Sequence, residues 1–197
     1  GVYIVADEIH CELVFPGNIY IPFASLSPEF SSHSVTCNSP SKAFNIAGLQ
    51  IANIIVPDND MRTRIDRAIN INEVCDVNPL GVEALIAAYN EGEEWLSQLL
   101  AYLKGNDNFM WDFCRQNLPQ FPLTRLEGTY LEWMDCKTIG LASAELEKRL
   151  IDEAGLWLNA GTMYGAEGEG FMRWNIACPR SRLTEGLERF RQYISSL

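Results

Sequence analysis

Lys42 closes the run Asn38-Ser39-Pro40-Ser41-Lys42, directly after an apolar stretch and before the small-residue segment Ala43 to Leu49. An amine at the end of a buried strand loses hydration, which favours its neutral form, and a neutral amine adds to a carbonyl carbon to form a Schiff base. Ser39 and Ser41 set two hydroxyl donors beside it, groups suited to a phosphate. An exposed turn lysine between capping serines fits the same spacing. A second candidate is Asp7 in Ala6-Asp7-Glu8-Ile9-His10. A carboxylate at a strand's C-terminal end faces the crevice where open α/β sheets bind ligands, and there it can keep a cofactor ring nitrogen protonated. The plainer alternative makes Asp7 a turn cap and His10 a partly buried polar residue. The third is Arg173, in Phe171-Met172-Arg173-Trp174-Asn175, behind the glycine-rich stretch Gly161 to Gly170. A guanidinium grips a carboxylate through two parallel hydrogen bonds; the alternative partner is a carboxylate of the chain itself. Arg180 and Arg182 read as surface charges.

These residues need elements to hold them. Val2–Ala6, Ser34–Asn38 and Ile51–Val56 are nearly continuous apolar runs, the pattern of parallel strands with helices on both faces. Ser25 to Ser34 reads as loop. Met61, Ile65 and Ile69 share one face of a helix opened by Pro57-Asp58, and a longer helix follows Pro79, with a break expected at Gly105-Asn106-Asp107 and a further helix over 109–117. Trp95, Tyr102, Phe109, Trp111 and Phe113 recur at helical spacing and read as core or lobe contacts. Leu118-Pro119-Gln120-Phe121-Pro122 is punctuation, a candidate lobe boundary. Beyond it, strands are expected over 128–134, 156–158 and 171–177, a helix capped at Ser143, and a terminal helix over 184–194. The division taken is 1–104 for the sheet with its linking helix and 105–197 for a small α+β lobe.

Composition narrows the function classes. The 197 residues carry 15 Lys+Arg against 26 Asp+Glu, a net charge of −11, which argues against a grip on nucleic-acid phosphates or on anionic membranes. No apolar run is long enough to span a bilayer. Six scattered cysteines without Cys-x-x-Cys spacing fit reduced thiols and a cytoplasmic setting, and with only His10 and His33 beside them no metal site is expected. The chain opens straight into an apolar run, as expected of a start in mid-domain.

Asp7, then Ser39-Pro40-Ser41-Lys42, resembles the fold-type-I pyridoxal-phosphate enzymes of the aspartate aminotransferase superfamily. The fuller runs Asp7 to Phe15, Pro22 to Ser25 and Ser39 to Gln50, with Gly161 to Arg180, resemble its cystathionine β-lyase-type C–S lyases. The resemblance implies an α/β fold, in which the remainder of a large, mostly parallel-sheet domain precedes a small α+β lobe, and it covers the C-terminal half of such a protein. It implies pyridoxal 5'-phosphate as cofactor, Lys42 as the residue bonded to it, and Asp7 on the ring nitrogen. Ser39 and Ser41 would serve its phosphate, and Arg173 the α-carboxylate of an amino-acid substrate. A tyrosine common in aminotransferases is replaced by His10, carried as a cofactor contact, and a phosphate-binding arginine by Gln50; both departures fit the lyases better. The implied reaction is β-elimination from cystathionine or a cysteine S-conjugate to thiol, pyruvate and ammonia, in a protein that forms a homodimer at full length. Transamination is the alternative reaction, and a non-catalytic fragment or interaction domain the alternative of another class.

Overall fold

The computed structural model describes residues 2–73 and 76–197, so Cys75 lies outside the described residues. The chain divides into two compact units, residues 1–100 and 101–197.

In the first unit, β1 (Ile4–Asp7) pairs in parallel with β2 (Ser34–Asn38), and β3 (Asn53–Ile55) runs antiparallel on the other side of β2. Cover on both faces, expected from the apolar runs, holds only for the middle strand. Ser34, Val35 and Thr36 are buried, whereas Val5 is 69% exposed and Ile54 and Ile55 are 49% exposed each. β2 has a neighbour on each side; β1 and β3 are edges. The stretch read as loop before β2 holds a short helix, α1 (Pro28–Ser32), because the Ser27 hydroxyl accepts from Phe30 N and Pro28 sits in the first turn. Asp58 caps α2 (Asn59–Asn70) in the same way, through Met61 N at 2.7 Å.

The long helical region breaks earlier than its composition suggests. α3 (Pro79–Glu91) ends at Gly92, and α4 (Glu93–Asn117) then runs unbroken through Gly105. A Cβ on Gly92 would overlap the Phe44 ring and the Ala88 carbonyl, so close packing requires glycine there. Asn106, read as a breaker, is fully buried and uses its side chain elsewhere: Nδ2 donates to Ile176 O (2.7 Å) and Cys178 O (3.0 Å), and Oδ1 accepts from Arg180 Nε (2.7 Å). Arg180 is therefore a tether, with its guanidinium also stacked on Phe109, and Tyr102 is no core residue, since its hydroxyl accepts from Arg180 N.

The second unit has a sheet of order β4–β6–β5, all antiparallel: β4 (Leu131–Asp135), β5 (Asn159–Ala160) and β6 (Phe171–Asn175). β5 lies just beyond the apolar 156–158 run that was expected to form it; Trp157 there is 76% exposed. Alternation sends Met134, Met172 and Trp174 into a core with Leu146 and Leu150 of α5 (Ser143–Ala154) and Leu187 and Phe190 of α6 (Arg180–Ile194). Residues 118–122 form no boundary in this unit: Leu118 and Phe121 are buried in its core. Ser143 is the first residue of α5 rather than its cap. The Glu169 carboxylate receives its N–H at 2.7 Å, and this bond at a positive helix end holds Glu169 below the usual carboxylate range.

Two acids are buried in this unit. Glu132 is fully buried beside Asp107, whose other oxygen meets Lys104 Nζ at 2.5 Å. Burial, and next the adjoining Asp107 carboxylate, push Glu132 up to about 10. Among the described residues no donor reaches its two oxygens, and burial favours its neutral form.

Candidate active site

β1 and β2 are parallel, so their C-terminal ends share one edge of the first sheet. Asp7 ends β1 opposite Cys37, and the ladder continues with Glu8 N donating to Cys37 O at 2.8 Å. Asp7 is exposed, with one oxygen accepting from Ile9 N at 3.3 Å. Lys42 follows the end of β2 in a tight turn closed by Phe44 N to Pro40 O (2.9 Å) and Ile46 N to Ser41 O (3.2 Å). The turn exits through Asn45 at φ +55°, a left-handed conformation that asparagine tolerates. Lys42 is half-buried and has no hydrogen bond or ion pair among the described residues. A free amine fits both the Schiff-base lysine and the plain turn lysine.

The two serines differ. Ser39 is buried, its hydroxyl donating to Ile51 O at 2.6 Å while accepting from Ser41 N at 3.1 Å. Its proton is committed to the loop, so it holds the turn in shape. The Ser41 hydroxyl has no such bond among the described residues. His10 lies half-buried in the turn after β1, where its carbonyl accepts from Leu13 N. Gln50 is exposed at the end of a short turn.

Arg173 sits in the middle strand of the second sheet, on the face opposite the core. Trp133 on β4 and Asn159 on β5 are its cross-strand neighbours. Its Nη2 donates to Asn159 Oδ1 at 2.9 Å, and its Cζ lies 4.3 Å from the centre of the Tyr164 ring. Among the described residues it forms no salt bridge, and its Nε is buried without a partner. The alternative that it neutralises a carboxylate of the chain is excluded among these residues. The glycine-rich stretch leading to β6 folds back on itself, and a Cβ on Gly161 or Gly168 would overlap the other's backbone.

Sequence reasoning missed several supporting residues. Trp95, read as a core or lobe contact, is half exposed and its indole N–H donates to Ala43 O, next to Lys42, at 3.2 Å. Glu8 is buried, with Oε1 accepting from Phe23 N at 2.9 Å; burial and a bond to Glu8 raise Tyr20. Asn159 and Tyr164 carried no local signal, because their partner Arg173 lies in another strand. A cavity of about 590 Å³ lies elsewhere in the second unit, beside Trp157, Trp174 and Arg182. Among the described residues no group of acids, cysteines and histidines is placed to hold a metal ion, and no helix is long and apolar enough to cross a membrane.

The family model of the class I and II aminotransferases matches residues 1–190. The chain belongs to that family. Among its relatives, cystathionine beta-lyase PatB of Bacillus subtilis is 41% identical over 99% of this chain and 50% of its own length. Protein MalY of Escherichia coli is 32% identical over 95% of this chain and 47% of its own. In structure, cystalysin from Treponema denticola, which contains a pyridoxal 5'-phosphate cofactor, superposes with a TM-score of 0.95 at 31% identity, over 98% of this chain and 49% of that one. The chain thus spans about half the length of the relatives it matches, and its α/β architecture is that of the corresponding half of this family's fold.

Proposed function

We propose that this chain is the lysine- and arginine-bearing half of a pyridoxal-phosphate-dependent C–S β-lyase acting on cystathionine or another cysteine S-conjugate. The observation that carries it is the placement of two of the cations that form no ion pair among the described residues: Lys42 beyond a parallel-strand edge and Arg173 on a strand face, held by an amide and a ring. Water and the S-conjugate give thiol, pyruvate and ammonia.

The residues present fit the cofactor. The Lys42 amine is free for a covalent bond, the Ser41 hydroxyl is free for a phosphate oxygen, and Asp7 at the same strand edge is suited to a protonated ring nitrogen. Ser39 supports the phosphate indirectly, through the turn it holds, and His10 is carried as a further contact in the turn after Asp7. Pyridoxal phosphate, when bound, supplies the electron sink that makes the substrate's Cα–H acidic. Everything else falls to the chain. Arg173 grips the α-carboxylate through its remaining N–H donors and so fixes the direction of the Cα–H bond. The Lys42 amine takes that proton as general base.

The homodimer and the amino-acid substrate are carried with this reading by family likeness. A reducing, cytoplasmic setting is supported by the five described cysteines, all free, with burial pushing Cys11, Cys114 and Cys136 up to about 12.

The test is product release by the protein at its native length. Steady thiol and pyruvate formation from cystathionine without a keto-acid acceptor is expected; turnover that depends on an acceptor would make it a transaminase. The visible absorbance of bound cofactor, expected for the native protein and absent in Lys42→Ala, separates both from a non-catalytic fragment.

A further inference from the structure

Arg173 is held by groups that carry no charge. Asn159 meets it from β5 at 2.9 Å, directly across the strand pair. The Tyr164 ring covers one face of the guanidinium at 4.3 Å, and Trp133, its neighbour on β4, packs edge-on against that ring with centroids 5.6 Å apart. Arginine only donates, so the Asn159 oxygen, not its NH₂, faces it. A carboxylate at position 159 would hold the same geometry more strongly, but it would cancel the charge that a ligand carboxylate needs. An amide orients the guanidinium and leaves its charge in place.

We infer that Asn159 is a positioning residue that sets the affinity of Arg173 for the substrate's carboxylate by holding the guanidinium without neutralising it. This rests on the reading of Arg173 given above. Tyr164, locked by Trp133, fixes the plane in which the remaining Nη donors are offered.

The experiment compares Asn159→Asp, Asn159→Ala and Arg173→Gln in the cofactor-loaded protein at its native length. Three quantities are read: the Kd of L-alanine, which has the α-carboxylate and no leaving group, the kcat and KM for cystathionine, and the Tm. Asn159→Asp is expected to keep or raise Tm, to weaken L-alanine at least about tenfold and to raise KM in parallel, with kcat nearly unchanged. Asn159→Ala lowers Tm and weakens L-alanine by about threefold, the smaller effect of a looser but still charged arginine. A merely structural role would make the alanine variant the worse binder. Native L-alanine affinity in Asn159→Asp overturns the inference. If Arg173→Gln also binds L-alanine normally, the reading of Arg173 fails as well; if only Arg173→Gln is weakened, the inference about Asn159 fails alone. Should the aspartate variant not fold, Asn159→Ser, a neutral acceptor one atom shorter, must bind L-alanine better than Asn159→Ala, and equality overturns the inference.

Discussion

The two sheets present their free cations differently. Lys42 stands on a turn past the edge of a sheet whose outer strands leave Val5, Ile54 and Ile55 exposed. Arg173 stands in the middle strand of a sheet backed by a closed core, with a cross-strand neighbour on either side and a ring over its face. A group that must carry a proton needs room to move, and a turn tied at a few backbone bonds provides it. A group that must only hold a carboxylate gains from rigidity, because each freedom already lost in the free protein is not lost again on binding.

The largest break in this comparison is Lys42→Ala. Removing the proposed base and covalent anchor is expected to cost about a thousandfold or more in turnover, together with the visible absorbance of the cofactor. The same substitution should leave the Tm of the cofactor-free protein almost unchanged, because Lys42 has no partner among the described residues to lose. A large fall in Tm would mean that the turn is structural and the contrast with Arg173 is misplaced.

Next in size is the acid pair beneath the second sheet. Glu132 has its folded-state pKa raised to about 10 from an ordinary value of 4.5, by burial first and then by Asp107. A raised value means that the folded form keeps a proton the unfolded chain releases. Stability from this group is full below about pH 4.5 and falls as pH rises toward 10. Denaturant midpoints across pH 6 to pH 9, roughly the middle of that window, should therefore decline, with Lys104 and Cys114 as the other titratable neighbours. Glu132→Gln carries N–H donors toward Asp107 at every pH and should flatten the decline. An unchanged slope in the variant would place the pH dependence in other groups.

Asn106→Ala comes third. It removes the donor to Ile176 O and Cys178 O and the acceptor of Arg180 Nε, leaving buried groups unpaired at a cost of about 1–3 kcal/mol in unfolding free energy. If the rigidity behind Arg173 depends on this tie, L-alanine affinity should fall with it; a loss of stability alone would confine the rigidity to β5 and Tyr164.

Much of this was legible beforehand where the cause is local. Ser34–Asn38 has the bounds read from its apolar run, and Asp58 caps the helix it was expected to open. Several of the errors share one cause: partners far away along the chain. Gly105-Asn106-Asp107 has the composition of a break, yet Asn106 answers carbonyls on the far side of the β6 strand. Trp157 made an apolar run look like a strand, while the pairing residue was Asn159, chosen by its register with Arg173. In the candidate site, Lys42 and Arg173 were singled out through the family resemblance, whereas the commitment of Ser39 to Ile51 O could not be read, since it depends on where β3 returns. Glu132 was hidden by an ambiguity of alternation, because either Leu131 with Trp133 or Glu132 with Met134 could face inward.

The smallest effect tests the looser side of the comparison. The Trp95 indole donates to Ala43 O, one residue from Lys42, and among the described contacts of the turn it is the one side-chain donor reaching the backbone beside the amine. Trp95→Phe keeps a ring at this half-exposed place and deletes the N–H. Ala43 is fully buried, so its carbonyl loses a bond that water replaces poorly, a change of about 0.5–1.5 kcal/mol. The expected result is a Kd for pyridoxal phosphate raised by about threefold to tenfold, with little change in L-alanine affinity. A loss confined to the cofactor would show that the turn is loose only within limits set by Trp95. If L-alanine binding weakened equally, the tie would act on more than the turn, and the division between a mobile lysine and a fixed arginine would have to be redrawn.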